Sequence, residues 1–418
     1  MTARHWMVVV GSGLLMSLNV LTFLGSGLLL PPMAQTLGVT LGAVMVFTSI
    51  NALSGAVVMS AAGPYLICRL GVRRLIILTG ILSGVALFGV SYVEGLPALY
   101  VAAFVAGCLM PLSTQMGGAV LINEWFIKRR GTMLGIVMST ASLGGVVAGT
   151  VLPSVVLSGG WELGFRVVGV TNLTVCTLVG VFLVRGRPAH VNLRAYGATP
   201  DDGAHADVGR TRGSAAEAFA SPQFVALTTG LILFSILMAM QQHFPPLMRE
   251  HGLDVEAAGT LLAVLSVANV AATLLFGALN DRVGPLRSAI LAWALLIVSL
   301  GIFATTSGYV PQAAAILVYS VPAIASPIIT PIVYRHTFGD RHLVALLGVG
   351  IATMPTGVAI GAPLWGMVKD TTGAYTPGLW TAMGITVVSL GLIAYALVTG
   401  PRRWIEKPGQ DPAALVSS

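Results

Sequence analysis

Few side chains in this sequence are able to do chemistry, and where they stand decides what the chain can do. All fifteen carboxylates fall at the ends of apolar stretches, in turns or in the tails, so none is placed to relay a proton through hydrocarbon. One ionisable group does lie inside an apolar stretch. It is His243, in Ala-Met-Gln-Gln-His-Phe-Pro-Pro, and an ordinary pKa of about 6.5 suits reversible protonation. Its ring either serves proton coupling or faces water beside Pro245. The remaining polar groups at depth are neutral: Asn19, Asn51, Gln115, Ser139, Thr140, Asn269, Tyr319 and Thr353, with Gln241 and Gln242 nearer one end. An amide or hydroxyl left unpaired in hydrocarbon costs several kcal/mol, so each needs a partner or a wet cavity. Singly, each is accounted for by a hydrogen bond between helices; together they suggest a neutral, hydrogen-bonding lining. No nucleotide loop, metal cluster or catalytic triad is present. No cofactor and no enzymatic activity are expected, and energy must come from a gradient of solute or ions.

The elements that position these groups follow from composition. Hydrophobic residues make up 56% of the chain and charged residues 9%, with a mean hydropathy of +0.88. A soluble domain carries roughly 25% charged residues, so the expected fold is an all-α membrane protein. A spanning helix takes about 20 apolar residues. That rule gives twelve transmembrane helices, near 6–31, 41–67, 75–93, 97–124, 131–157, 164–185, 222–248, 256–280, 287–307, 310–334, 343–368 and 376–399. The first apolar run is too long for a signal-peptide core and is expected to stay as a helix. Cys68, Cys108 and Cys176 show no pairing pattern, so no disulfide is expected.

The net charge of +7 does not point to nucleic acid, because the basic residues cluster in alternate turns. All of the 22 Lys and Arg except Arg166, Arg249 and Lys369 fall on one side, which the positive-inside rule makes cytoplasmic, together with both termini. The expected domains are a six-helix half over 1–185, a cytoplasmic linker over 186–221, a second half over 222–400 and a tail over 401–418. The halves repeat at a near-constant offset. Arg69, Gly71 and Arg74 answer Arg282, Gly284 and Arg287 (284 − 71 = 213), Pro31-Pro32 answers Pro245-Pro246 (245 − 31 = 214), and Pro97 answers Pro311 (311 − 97 = 214). Two parallel halves with a solute site between them near mid-depth describe one transporter architecture. Small residues at four-residue spacing, Gly131/Gly135, Gly145/Gly149 and Gly357/Gly361, allow close helix packing or sliding. Prolines 322, 327, 331 and 355 are expected to bend the tenth and eleventh helices.

With these residues in place, the chain resembles the major facilitator superfamily outside the linker and tails. Gly277, Asp281, Arg282 and Gly284 match that family's G-x-x-x-D-R-x-G turn between helices 8 and 9. The first-half copy keeps Arg69 and Gly71 but has Cys68 where the family prefers Asp, and Gly63 one place early. The resemblance implies a gating turn whose Asp fastens the cytoplasmic ends in the outward-facing state. LLLPPMAQTLGVT, NEWFIKRRGTMLGI and the SPQF and PPLMREHGLDVEAAG segments look like the monocarboxylate and oxalate/formate porter branch. That likeness implies a substrate-holding cation at Thr273, a polar residue at Asn269, and a Lys at Met354; both cations are missing. The expected function is a secondary or facilitative carrier for a small organic solute, favoured by resemblance to be a monocarboxylate-type acid. Its expected partners are that solute and the lipid of a cytoplasmic membrane, and it is expected to work as a monomer. Efflux of a neutral or hydrophobic metabolite or drug is the alternative within transport, and a non-transporting membrane sensor the alternative outside it.

Overall fold

A computed structural model of the chain describes residues 3–126, 130–184 and 215–404, and these are helical almost throughout, with no strand among the described residues. The linker expected over 186–221 and the tail over 401–418 lie mostly outside them. Glycine and the short polar caps set the helix limits. α1 is Ala3–Leu37 and α2 is Leu41–Ala61; Thr40 caps α2 by accepting from Ala43 N at 3.3 Å. After a bend at Gly71, α3 occupies 72–89. α4 runs from Leu96 to Trp125, through a π turn at Leu112–Met116. Residues 130–178 are continuous helix except at Gly159 and Gly160, whose backbone leaves the helical region, so α5 is 130–158 and α6 is 161–183. The short helix Ala215–Phe219 precedes α7, which starts at Pro222 behind the Ser221 cap and ends at Glu250. α8 is Val255–Val283, capped by Asp254, and α9 is Pro285–Thr305. Gly339 divides the next long helix into α10 (309–338) and α11 (340–372), and α12 is Thr376–Trp404. Among the described residues, that makes twelve long helices, besides the short one at Ala215–Phe219.

The duplication appears in backbone conformation as well as in residue type. Left-handed glycines end matching segments: Gly38 and Gly252 (252 − 38 = 214), Gly71 and Gly284 (284 − 71 = 213), Gly160 and Gly373 (373 − 160 = 213). A β-carbon strains this conformation, so glycine recurs at corresponding turns. One expectation needs correction. The first helix, expected near 6–31, continues through Pro31-Pro32 to Leu37. Its end is set by Gly38, where Val39 N donates to Ala34 O at 3.1 Å and Gly38 N to Gln35 O at 3.3 Å, a helix-closing pair of backbone bonds. Of the proline bends, the one in α10 is 45° between Ala325 and Ile328.

Within each half the helices are joined by hydrogen bonds and by aromatic packing. Ser17 Oγ donates to Thr140 O at 2.9 Å where α1 meets α5. In the second half, Trp365 Nε1 donates to Ile236 O at 2.9 Å where α11 meets α7. Trp293 of α9 stacks on Phe234 of α7 at 4.0 Å and donates to Ser389 of α12, which donates in turn to Gly230 O.

Between halves, α2 crosses α11, α5 crosses α8 and α1 meets α7. Gly42 lies against Gly366, Ser49 Oγ makes a short hydrogen bond to Ala359 O, Gly149 lies against the Gly259 carbonyl, and Gly27 against the Gln242 carbonyl. All of these contacts lie between the end opposite the basic turns and mid-depth. Nearer the basic end the same helix faces are open: Leu53 on α2 is 45% exposed, Met138 on α5 is 48% exposed, and Ala352 on α11 is exposed. The halves are closed at one end and parted at the other. Gly149→Val would drive a branched side chain into the α5–α8 crossing, where its β-carbon alone comes within 2.5 Å of Ala263 N. Overpacking of this kind costs about 1–3 kcal/mol, so thermal unfolding in detergent is expected at a lower temperature than in the parent; an unchanged midpoint would show slack in that crossing.

Candidate functional site

The neutral polar groups do not all reach one cavity. Tyr319 is fully buried inside the second half, where its hydroxyl donates to Met238 Sδ at 3.6 Å and its ring meets Phe244 edge-on at 4.7 Å. The Thr353 hydroxyl, also buried, donates to Gly350 O at 2.7 Å, and that of Thr273 donates to Asn269 O at 2.7 Å, each within its own helix. These three are spoken for by packing.

The groups with bonding capacity to spare are fewer. Gln115 is exposed within the π turn of α4, a distortion that is frequent at functional sites. Ser139 on α5 is half-buried. Asn19 is half-buried on the face of α1 that, at Ser12 and Met16, packs on α4. Asn51 lies on the side of α2 that packs on α4 beside Gly107, and its Nδ2 is buried without a partner in the protein. Asn269 on α8 holds a buried Oδ1 in the same condition, as does Gln242 Oε1 on α7. A buried amide atom without a partner costs about 1–3 kcal/mol, so these atoms require water or solute. They form a donor on the first half and acceptors on the second. Met354 on α11 is 41% exposed and supplies no charge. The described Lys and Arg residues all stand near helix ends.

His243 is not a water-facing residue. α7 tightens into a 3₁₀ turn over Ala239–His243, which turns the ring into the protein, where it is fully buried. Nε2 lies 2.9 Å from Ala362 O and Nδ1 3.1 Å from the Tyr375 hydroxyl. A carbonyl only accepts, so Nε2 carries the proton and the neutral ring accepts from Tyr375 through Nδ1. Burial, then the carboxylates of Glu250 and Asp370, hold the Tyr375 hydroxyl above its ordinary pKa, so it remains a donor. The Tyr375 amide donates to Glu250, which pairs with Lys369 at 2.6 Å; Lys369 lies 5.4 Å above the Tyr375 ring. Asp370, next in sequence, accepts from Leu41 N and Gly42 N of the other half. Sequence reasoning missed Tyr375, Glu250 and Asp370 as a group, because 132 residues separate His243 from its tyrosine. The available signal was Asp370 itself, a carboxylate in the last turn of a helix, where the dipole disfavours it.

At the basic end, Gly71 (φ +74°) and Gly284 (φ +81°) make the matching turns. Arg69 lies 5.0 Å over the Tyr65 ring, and Arg282 is exposed in the last turn of α8, where Asp281 also falls, with Gly277 one turn earlier. Ser288 Oγ donates to Asn280 Oδ1 at 2.8 Å and ties this turn to α9.

The model for the Major Facilitator Superfamily matches residues 12–337. The chain belongs to this superfamily. Among its relatives, a putative tartrate transporter of Agrobacterium vitis is 25% identical over 77% of this chain and 76% of its own length. Monocarboxylate transporter 12-B of Danio rerio is 24% identical over 81% of this chain and 74% of its own. A bacterial homologue of the human lysosomal transporter Spinster, solved inward-facing and unoccupied, superposes with a TM-score of 0.72 at 18% identity, over 98% of this chain and all of that one. That structural likeness shows the fold. As a superfamily member the chain is a multi-pass membrane transporter and not an enzyme.

In this superfamily member, the tyrosine contact is one of the two hydrogen bonds that hold the buried histidine. Tyr375→Phe removes the donor to Nδ1 and leaves that nitrogen buried and unpaired, at about 1–3 kcal/mol. Thermal unfolding, followed as maleimide labelling of the buried Cys176 above the baseline from exposed Cys68, is expected to shift downward. Labelling curves that superpose would show the hydroxyl to be dispensable.

Proposed function

We propose that this chain is a secondary carrier for a small organic acid of the monocarboxylate type, working by alternating access in a cytoplasmic membrane with its basic end inside. The observation that carries this reading is the arrangement of the halves: joined from one end to mid-depth, with Leu53 and Met138 uncovered toward the basic end. With the basic end cytoplasmic, this is an inward-open form, and the Lys/Arg distribution supports that orientation. The monocarboxylate and tartrate relatives support an organic acid as the solute. It is held by the neutral donors and acceptors of Gln115, Asn51, Asn269 and Asn19, since no described cation stands at mid-depth. A carboxylate held by neutral groups is bound more weakly than one held by an Arg or Lys fork. Neither Thr273 nor Met354 supplies the cation that the porter resemblance implies at its position. The chain acts as a monomer.

His243 is the coupling group in this reading. Its ring is sealed while α1 and α7 touch at Gly27 and Gln242; parting those helices would admit water and a proton. Tyr375, Glu250, Lys369 and Asp370 are the titratable groups around it.

The test is uptake of labelled lactate, pyruvate, acetate and tartrate into proteoliposomes, with and without an inward proton gradient. Gradient-driven accumulation of a monocarboxylate is expected, with Asn269→Ala raising KM about tenfold through loss of a hydrogen bond of about 1.4 kcal/mol. His243→Gln is expected to abolish accumulation while leaving downhill exchange. Saturable tartrate uptake untouched by Asn269→Ala and Gln115→Ala would overturn the neutral site. Absence of acid uptake under either condition would favour the second reading, export of a neutral or apolar metabolite. The missing cations and the exposed Met354 support that reading.

A further inference from the structure

We propose that Asp370 is a positioning residue of the transport cycle: it latches the two halves at the end opposite the basic turns by capping the first turn of α2. The proposal rests on the alternating-access reading.

The first three amides of α2 need acceptors, because no preceding turn supplies carbonyls for them. Only one is served locally, Ala43 N by Thr40 Oγ1. The other two are served from the opposite half: Leu41 N donates to Asp370 Oδ1 at 3.1 Å and Gly42 N to Asp370 Oδ2 at 2.8 Å. Both carboxylate oxygens are engaged by the positive end of a helix 328 residues away in sequence. Within its own helix the same carboxylate is badly placed. It sits in the last turn of α11, two residues before Thr372 and the left-handed Gly373, where the helix dipole is negative. Asp370 is therefore favoured while the halves are closed and disfavoured once they part. A group shifts a two-state equilibrium only through such a difference.

The neighbouring residues isolate this contact. Lys369 is taken up by Glu250 at 2.6 Å and by Gly373 O at 2.7 Å, so it pairs within its own half. Two glycines set the approach. A β-carbon at Gly366 would come within 2.8 Å of Gly42 Cα, and one at Gly42 within 2.8 Å of the Met367 side chain and 3.2 Å of Asp370 Oδ2. With glycine at both places, the backbones come close enough for the carboxylate to span two successive amides.

The test measures the separation of the halves directly and needs no substrate. Spin labels replace Glu94 and Ser307, in exposed loops of the first and second half at the latched end, in the full chain in lipid nanodiscs. Cys68 and Cys108 are changed to Ser. Pulsed electron spin resonance then gives the distance distribution. Loss of a helix-capping side chain shifts equilibria about threefold to thirtyfold. Asp370→Ala is expected to raise the ratio of parted to closed populations about tenfold, Asp370→Asn to fall between it and the parent, and Asp370→Glu to restore closure. Thr40→Ala removes the other cap of the same helix end without touching the opposite half, and is expected to leave the ratio at the parent's value. Should Asp370→Ala not fold, Asp370→Asn decides the same question. A parent that samples two distances with Asp370→Ala unchanged overturns the latch and leaves alternating access standing. Equal shifts in Thr40→Ala and Asp370→Ala also overturn it, since any frayed end of α2 would then do the same. One fixed distance in every variant overturns both the latch and alternating access.

Discussion

A polar group away from water must find a partner, and the rest of this structure depends on that constraint. It makes every spanning segment a helix, because only a helix satisfies its own amides in hydrocarbon. It also places the charged residues at helix ends, including Arg73, whose guanidinium caps the Gly180 and Val181 carbonyls at the end of α6. His243 obeys the same rule. Both its nitrogens are paired, which is how an ionisable ring is kept deep inside the second half. Among the atoms that do not comply, the side-chain amides Asn51 Nδ2, Asn269 Oδ1 and Gln242 Oε1 belong to the polar residues that the sequence places at depth. They mark where the protein expects something it does not itself provide.

A carrier has to hold its halves together at one end and still release them, and the packing suits both demands. The crossings between halves use glycine backbones at Gly42, Gly149, Gly259 and Gly366, which approach closely without interlocking large side chains. The bulky contacts lie inside the halves, as with Trp293 on Phe234 and Trp365 on the Ile236 carbonyl. Dispersion and hydrogen bonding thus make each half a rigid body, while the seam between them is thin. A thin seam leaves the balance between states to a few specific bonds, such as Ser49 to Ala359 and Asp370 to α2.

The fold was legible in the sequence because its signals are long or repeated. Twelve apolar runs, basic residues in alternate turns and an offset of 213–214 residues all survive local ambiguity, and the left-handed glycines at Gly71 and Gly284 reproduce that offset in the backbone. Helix limits were less legible where two signals competed. The apolar run placed the end of α1 near residue 31, yet the end was fixed by Gly38, which can take the backbone conformation that closes a helix. The polar residues at depth were legible as a set and not one by one. Periodicity gives the depth of Tyr319 and Thr353 but not their direction, and both turned out to be satisfied inside their own half. His243 was found by its isolation, but its burial was not foreseen, since it depends on the 3₁₀ tightening of α7 and on Tyr375, far away in sequence.

The two ends of the molecule therefore solve one problem by different means. At the basic end the superfamily turn offers charged side chains around Gly71 and Gly284, with Cys68 in the place of one carboxylate. At the other end, closure relies on a carboxylate meeting bare backbone amides, and no sequence motif encodes an amide. The residues that receive Asp370 are Leu41 and Gly42, whose side chains are incidental to the bond. What matters is that a helix begins there and that no β-carbon blocks the approach. A gate built from a helix end is thus hidden from residue-type reasoning on the receiving side, and visible on the donating side only as a charge in an unfavourable place. An acidic residue in the final turn of a spanning helix, followed by a left-handed glycine, is the trace that such a contact leaves in a sequence.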